Sequence, residues 1–300
     1  MIKYRVVSFP RMHADQVDSD AALVRRLLGA QFPRWSDLPI ERIATSGTDN
    51  AIYRLGTEMV VRLPLIHWAV GQVEKEHTWL PKLAPLLPLE LPEPLEMGEP
   101  AEGYPWHWSV YRWIDGETAL PARIADPVQT ALDLAGFINA LHSVDVPDAP
   151  ISQRGVPIAT KDAEIRPAIA AMAHEFDAVA LTAAWDEAIS APPWDGPPVL
   201  VHGDIKDTNL LVHDGRLRAV IDFSCFGRGE PANDLDVAWN LFSGESREVF
   251  RAAVDLDEAA WARARGWAIM SVYGIPYYEH TNPGMVARAR QVLTAVLADA

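Results

Sequence analysis

Three polar side chains interrupt otherwise apolar stretches in the second half of the chain. Asp204 and Asn209 stand five residues apart within residues 201–212, where an apolar run stops at a polar loop and then resumes. Asp222 comes eighteen residues after Asp204, at the end of another apolar run. Phosphoryl transfer to a hydroxyl needs a carboxylate that accepts the proton and oxygen ligands for Mg²⁺. The pattern therefore predicts Asp204 as a catalytic base, with Asn209 and Asp222 as Mg²⁺ ligands.

A structural interpretation stays open for each of these residues taken singly. Asp and Asn commonly occupy turns and helix caps, and a carboxylate at a strand end is often simply solvated. The order, the spacing and the two apolar flanks fit a single mechanism, however, and this favours the catalytic interpretation of the set.

A nucleotide site would need a tight loop over the phosphates and a strand cation that pairs with a helix carboxylate. The loop candidates lie between the first two predicted strands: Ser46, Gly47, Thr48 and Asn50. A single glycine is a weak signal, because an ordinary hairpin turn has a similar composition. The next strand carries Arg62, and the following helix carries Glu76, which we favour over Glu74 as its partner.

The elements that must position these residues fall into two groups. Helical or alternating apolar patterns predict elements in the first part of the chain: helices at 18–31 and 73–83, and strands at 40–44, 50–55, 58–63 and 108–114. The prolines between residues 81 and 100 predict an extended connector. The second part is predicted to be mostly helical, with helices at 127–142 and 166–190 and short strands at 199–201 and 218–221.

These motifs together resemble the aminoglycoside phosphotransferase family. The residues that match its pattern are His202, Gly203, Asp204, Asn209, Asp222, Gly227, Gly229, Pro231, Asp234 and Leu235. The resemblance runs from about Ile40 to His280. It implies an α+β, bilobal protein-kinase-like fold, in which a small N-lobe with an antiparallel sheet plus helices precedes a larger, mainly helical C-lobe. We expect a nucleotide-binding N-lobe at 1–111, and a C-lobe at 112–300 with the catalytic loop and the acceptor site.

The chain departs from the usual family pattern at two cations. Lys206 stands where many members have His, and we expect it to stabilise charge on the transferring phosphoryl group as a second catalytic residue; a solvated loop lysine is the alternative. Arg62 stands where the family usually has Lys. Arginine keeps the charge but is longer and planar, so the exchange is not conservative.

The resemblance also assigns the purine side of the site. Residues 109–113 resemble the linker between the lobes, so we expect the backbone around Ser109 and Tyr111 to contact the base. Backbone contacts leave no side-chain signature, and the donor is therefore ATP or GTP. In the family, the equivalent of His202 holds the catalytic loop through hydrogen bonds and that of Asp234 braces a C-lobe helix, so neither is expected to be catalytic.

Charge and composition limit the partners. The formal charge of −15 repels nucleic acid and anionic membranes and attracts cationic ligands. Cys225 is the only cysteine, so no intrachain disulfide is possible. We find neither a signal peptide nor an apolar run of about 20 residues, which favours a cytoplasmic protein without a membrane segment. The sequence does not indicate an oligomeric state.

Three functions are compatible with these features. The first is a kinase that confers antibiotic resistance by phosphorylating a hydroxyl of an aminoglycoside or a macrolide. The second is a metabolic kinase of the same fold, with a choline-, homoserine- or fructosamine-like acceptor. The third is a nucleotide-binding pseudokinase, which Arg62 keeps open although Asp204, Asn209 and Asp222 argue against it.

Overall fold

The computed structural model describes residues 15–43 and 49–299. The first part of the chain builds a five-stranded antiparallel sheet in the order β1-β2-β3-β5-β4. Its strands are β1 (Ile40–Ile43), β2 (Asn50–Leu55), β3 (Met59–Pro64), β4 (Pro94–Gly98) and β5 (Trp108–Arg112). The predicted meander of the first three strands is confirmed over the described residues. Ala44, which the prediction placed in the first strand, lies outside them.

Helix α1 (Ala21–Gln31) covers one face of this sheet. Its N-cap is Asp20, whose carboxylate accepts a hydrogen bond from the Leu23 N–H (2.7 Å), so the helix begins at Ala21, three residues after the predicted start. The apolar side of α1 and the inward side chains of β2 form one buried cluster: Leu23, Val24, Leu27, Leu28, Ala51, Tyr53 and Leu55. Every second residue of β2 faces this cluster, as the strand period requires.

The predicted extended connector is wrong in one respect, because it contains β4. Pro94 opens this edge strand, a position where proline costs no ladder hydrogen bond. At its other end, Gly98 lies under the Trp108 indole, and a Cβ there would stand 2.0 Å from the ring. Before the strand begins, Glu90 pairs with the second part of the chain, where it forms an isolated bridge to Ala219.

Helix α2 (Gln72–Leu83) lies between this sheet and a second, mainly helical part. The helices that follow are α3 (Pro127–His142), α4 (Asp162–Ala171), α5 (Ala178–Ser190), α6 (Val237–Asn240), α7 (Gly244–Ala253), α8 (Glu258–Ile269), α9 (Ser271–Tyr278) and α10 (Pro283–Ala298). The single helix predicted for 166–190 is wrong, since the segment contains the end of α4, a break, and α5 with Asp177 as its N-cap. Among the described residues, none of these helices has the length and apolar character to cross a membrane.

Short strands between the helices carry the polar loops. They are β6 (Glu117–Thr118), β7 (Val199–Val201), β8 (Leu210–His213), β9 (Arg216–Val220) and β10 (Gly227–Gly229). Strand β7 pairs with β10, and β8 pairs with both β6 and β9. A large apolar core fills this second part and continues into the first through Leu80 and Leu83 of α2. The predicted α+β bilobal architecture is confirmed, whereas the lobe boundary after residue 111 stays a prediction.

Candidate active site

The loop that leaves β7 is held by one buried carboxylate. Asp234 accepts hydrogen bonds from the backbone N–H groups of His202 (3.0 Å) and Gly203 (2.7 Å). Gly203 adopts a φ of +82°, and a Cβ at this position would lie 2.9 Å from the Cys225 carbonyl oxygen. Asp234 therefore braces the loop that carries Asp204, whereas the family resemblance implied that it braces a C-lobe helix.

His202 joins this loop to the strand that leads to Asp222. Its Nδ1 accepts a hydrogen bond from the Asp204 N–H (3.2 Å), which places the ring proton on Nε2. Nε2–H then donates to the Ile221 carbonyl oxygen (3.2 Å). The imidazole is buried and uses both nitrogens in these bonds, as expected for a structural residue.

Asp204 is surrounded by donors. Its Oδ2 accepts hydrogen bonds from Lys206 Nζ (2.6 Å) and Asn209 Nδ2 (3.0 Å), and its Oδ1 accepts one from Arg154 Nη1 (3.4 Å). Burial alone would raise the pKa of Asp204, but the charges of Lys206 and Arg154 hold it well below its usual range. The carboxylate is therefore ionised at neutral pH.

Arg62 connects the two parts of the molecule. Its Nη1 donates to both carboxylate oxygens of Glu76 (2.7 and 2.8 Å), and its Nη2 donates to Asp222 Oδ1 (3.1 Å) and Gln72 Oε1 (3.3 Å). Burial alone would lower the pKa of Arg62, but Glu76 and Asp222 raise it above its usual value. The predicted pairing of Arg62 with Glu76 is confirmed as a contact.

Glu74, the less favoured partner, does not contact Arg62. Its carboxylate accepts a hydrogen bond from His107 Nδ1. His107 also contacts Glu99 through Nε2 (2.7 Å), and the hydrogen bonds to these two carboxylates raise the pKa of His107. This cluster lies on the sheet beside the site and leaves Glu76 as the inward carboxylate of α2.

The structure corrects the assignment of Ser109 and Tyr111 to the interlobe linker. Both lie inside β5, where Ser109 pairs with Arg62 on β3 and Met97 on β4. Tyr111 is likewise flanked by both neighbouring strands, so the backbone at these positions belongs to the sheet. The buried Tyr111 hydroxyl donates to Glu76 Oε2, and Ser109 Oγ contacts His77 Nε2 (2.6 Å). Strand β5 ends at Arg112, so residues 109–111 do not lie beyond the sheet.

Asp222 marks the second half of the site. It has a φ of +65°, unusual for a residue with a side chain, at the point where β9 turns into a short 3₁₀ helix. Lys75 of α2 reaches the same loop, where its Nζ donates to the carbonyl oxygens of Ser224 (2.5 Å) and Phe226 (3.2 Å). Helix α2 therefore positions Asp222 through Arg62 and fixes the following loop through Lys75.

Two oxygen atoms in this site are left for a metal ion. Asn209 turns its amide nitrogen toward the Asp204 carbonyl (2.9 Å) and carboxylate (3.0 Å), which leaves Asn209 Oδ1 without a donor among residues 15–43 and 49–299. Asp222 uses Oδ1 for Arg62, and its Oδ2 has no donor in the same part of the chain. An amide oxygen and a carboxylate oxygen suit Mg²⁺, which otherwise takes water and substrate phosphates.

The predicted phosphate loop is placed only in part. Ser46, Gly47 and Thr48 lie outside the described residues. Asn50 begins β2 opposite Pro64 of β3, and its Oδ1 is buried with no hydrogen-bond partner among the residues that the structure describes. A phosphate contact at Asn50 stays a prediction.

Sequence reasoning missed Arg154, which belongs to the loop between α3 and α4 and contacts the predicted base. Asp236 follows the brace residue Asp234 by two positions, and the sequence favours a solvated surface position for it over a place in an acidic acceptor mouth. Burial, and then the negative charge of Asp204, raise the pKa of Asp236 to about 8. No local motif marks either position, since both reach the site through tertiary contacts.

A two-part fold with an Arg–Glu pair between a strand and the following helix, a loop that bears an ionised Asp and a second Asp that follows it defines the class of kinase-like phosphotransferases. A sequence model described as the phosphotransferase enzyme family, abbreviated APH, matches residues 40–267. The chain belongs to this family, and the resemblance found in the sequence is confirmed.

Known relatives fit this assignment. An Escherichia coli aminoglycoside 3'-phosphotransferase is 28% identical over 141 residues, which cover 44% of this chain and 52% of the relative. The match thus spans about half the length of that relative. The solved GDP and kanamycin complex of APH(2'')-IIIa has a TM-score of 0.72 at 18% identity and covers 92% of this chain and 98% of its own. The solved structure of the macrolide 2'-phosphotransferase MphH from Brachybacterium faecium has a TM-score of 0.59 at 22% identity, and the match covers 91% of this chain and 98% of MphH.

Proposed function

We propose that the chain transfers the γ-phosphoryl group of ATP or GTP to a hydroxyl of a small molecule, with Asp204 as the general base. The observation that carries this proposal is the set of contacts around Asp204. An ionised carboxylate is held by Lys206 and Asn209 on Oδ2, while Oδ1 faces a single long contact with Arg154. Such a carboxylate orients an acceptor hydroxyl for attack on the γ-phosphorus and takes its proton.

The remaining residues have electrostatic roles in this proposal. Arg62, fixed by Glu76, would bind phosphate oxygens of the donor, and Lys206 would reduce the negative charge that develops on the transferred group. Asn209 and Asp222 would hold Mg²⁺, which supplies charge neutralisation at the donor phosphates when it is bound. We assign Ser46, Gly47, Thr48 and Asn50 to the phosphate loop. We divide the chain into a nucleotide-binding lobe at 1–111 and an acceptor-binding lobe at 112–300.

We further propose an antibiotic as the acceptor, either an aminoglycoside or a macrolide. The names of the relatives support this choice, because they include an aminoglycoside 3'-phosphotransferase, a complex with kanamycin and a macrolide 2'-phosphotransferase. The net charge of −15 also favours a cationic ligand over an anionic one. We place this reaction, which would confer antibiotic resistance, in the cytoplasm, where nucleoside triphosphates are available.

A phosphorylation screen tests the proposal. The purified protein is incubated with Mg²⁺ and either ATP or GTP, and with aminoglycosides, macrolides, choline, homoserine or a fructosamine. Phosphate incorporation is then measured. We expect an antibiotic to react, and the Asp204→Asn variant to lower kcat by about 10²- to 10⁴-fold with little change in the nucleotide Kd. A reaction confined to a metabolite would refute the antibiotic assignment, and unchanged kcat in Asp204→Asn would refute the base.

Lys206 is tested separately. In single-turnover kinetics, Lys206→Ala is expected to slow the chemical step because it removes a cation that contacts the base at 2.6 Å. The matched control is Lys161→Ala, since Lys161 pairs with Glu164 at the start of α4, outside the catalytic loop. If the rate of the chemical step is unchanged in Lys206→Ala, Lys206 is a solvated loop lysine without a catalytic role.

A further inference from the structure

Arg154 contacts Oδ1 of Asp204, the carboxylate oxygen that accepts no other hydrogen bond among the described residues. Asp204 Oδ2 is occupied by Lys206 and Asn209, whereas Oδ1 accepts only the 3.4 Å contact from Arg154 Nη1. An acceptor hydroxyl must donate to an oxygen of this carboxylate before it can lose its proton. Under the proposed function, the oxygen that receives the acceptor is therefore the one that Arg154 covers.

The backbone around Arg154 is fixed by one serine. Ser152 is buried, and its Oγ donates to the Cys225 carbonyl oxygen (2.8 Å). The same Oγ accepts hydrogen bonds from the N–H groups of Arg154 and Gly155 (3.1 Å each). Since Cys225 lies in the loop after Asp222, this serine ties the loop that carries Arg154 to the catalytic side of the cleft.

Close glycine contacts add to this attachment. A Cβ on Gly229 would lie 2.4 Å from the Gly155 Cα, and a Cβ on Gly227 would lie 2.6 Å from the Ser152 nitrogen. The Glu230 N–H also donates to the Gly155 carbonyl oxygen (2.9 Å). Two backbone segments can approach this closely only where side chains are absent. These backbone contacts therefore fix the position of the Arg154 backbone in the fold.

The guanidinium itself is easily displaced. The Arg154 side chain is 47% exposed, and its contact with Asp204 is longer than an ordinary charge-assisted hydrogen bond. The negative charge of Asp204 holds the pKa of Arg154 above its usual value. An acceptor that is bound through many contacts has the binding free energy to move this side chain, whereas a single water molecule does not.

We infer that Arg154 is a specificity-determining residue that allows Asp204 to activate a bound acceptor hydroxyl but not a water molecule. In the productive reaction, the acceptor oxygen forms a bond to the γ-phosphorus as the bond to the β–γ bridging oxygen breaks. The nucleoside diphosphate leaves, and the hydroxyl proton passes to Asp204. In the unproductive reaction, water takes the place of the acceptor and the product is inorganic phosphate. Arg154 suppresses the second reaction by covering Oδ1 while the acceptor site is empty.

The test measures release of inorganic phosphate from ATP and GTP, with Mg²⁺ and without acceptor. Removal of the covering side chain makes Oδ1 of the base accessible to water, so Arg154→Gln is expected to raise this hydrolysis by about three- to tenfold. Arg154→Lys keeps a cation and should stay close to the wild-type rate. Hydrolysis that is unchanged or slower in Arg154→Gln would overturn the inference, because a residue that assists catalysis or merely supports the fold predicts that result.

Two further measurements separate charge from folding. In Arg154→Ala, millimolar guanidinium chloride should restore the low hydrolysis rate, whereas the same concentration of sodium chloride should not; equal effects of both salts would contradict a specific role. Arg290→Gln is the matched control, because Arg290 pairs with Glu175 on the outer surface and should leave hydrolysis unchanged.

Failure of the inference is distinguishable from failure of the proposed function. If Asp204→Asn abolishes hydrolysis and Arg154→Gln does not raise it, only the role of Arg154 is refuted. If Asp204→Asn leaves hydrolysis unchanged, the assignment of the base fails first.

Discussion

Replacing Glu76 with Gln would leave the Arg62 guanidinium in a buried site without its main counter-charge. Glu76 is 1% exposed and contacts Arg62 at 2.7 and 2.8 Å, and Arg62 itself is only 11% exposed at its side chain. Removing one partner of a buried ion pair costs about 3–5 kcal/mol, since the other charge stays desolvated. Asp222, at 3.1 Å from Arg62, remains as a second carboxylate and offsets part of this cost. We expect Glu76→Gln to lower the free energy of unfolding by about 2–4 kcal/mol.

The reverse change, Arg62→Met, isolates a buried carboxylate that keeps only the Tyr111 hydroxyl as a close donor among the described residues. We expect it to cost about 3–5 kcal/mol. The double variant removes both charges, so its cost should be smaller than the sum of the single costs by about 2 kcal/mol. Urea unfolding of the wild type, the two single variants and the double variant measures this coupling free energy.

The matched control is Arg112 with Glu93, an Arg–Glu pair at the end of the same sheet. Both side chains are more than half exposed although their contact is short, at 2.5 Å. We expect a much smaller coupling free energy for this pair, and one that salt weakens further. Costs of Arg62→Met and Glu76→Gln that add within about 0.5 kcal/mol would refute the reasoning, because the pair would then contribute no energetic coupling.

Two further predictions concern the C-lobe. The pKa of Asp236 is about 8 in the folded chain, against an ordinary value near 3.8. Between these pH values the folded state holds a proton that the unfolded state has lost, so the free energy of unfolding falls as the pH rises. The urea midpoint of Asp236→Asn, measured relative to that of the wild type, should therefore rise from pH 5 to pH 8. A difference between the two midpoints that does not change with pH would contradict this. Gly229→Ala should destabilise the chain by about 1–3 kcal/mol, because the new Cβ would clash with Gly155. The control Gly136→Ala, on an open helix surface, should stabilise the chain by about 0.5–1 kcal/mol. Similar urea midpoints for the two variants would refute this prediction.

The polar loop that carries Asp204 was predictable because its residues are close together in the sequence. Asp204, Asn209 and Asp222 lie within a short segment whose apolar flanks form strands, so the polar interruption was visible without a structure. The contact between Arg62 and Glu76 was also predictable, since one strand and one helix determine it. Local patterns sufficed wherever a single element or two consecutive elements position the side chain.

Features set by distant pairing were not predictable. Arg154 reaches Asp204 because a serine and three glycines join loops that are far apart in sequence. Ser109 was assigned to the linker although pairing with two neighbouring strands keeps it in the sheet. Strand β4 was missed because its first residue is a proline, which disfavours a strand except at a sheet edge, and edge status depends on the complete strand order.

The short bridge at Glu90 bears on how the molecule unfolds. Its N–H donates to the Arg218 carbonyl oxygen (3.1 Å), and its own carbonyl accepts from the Val220 N–H (3.0 Å). Lys75 and Arg62 also attach the sheet-bearing part to the helical part, through their contacts with the loop after Asp222 and with Asp222 itself. Tyr111 of β5 and Leu80 and Leu83 of α2 belong to the apolar core of the helical part, so melting of the sheet and α2 would expose part of that core. The two lobes should therefore share one cooperative transition, with a single peak in calorimetry.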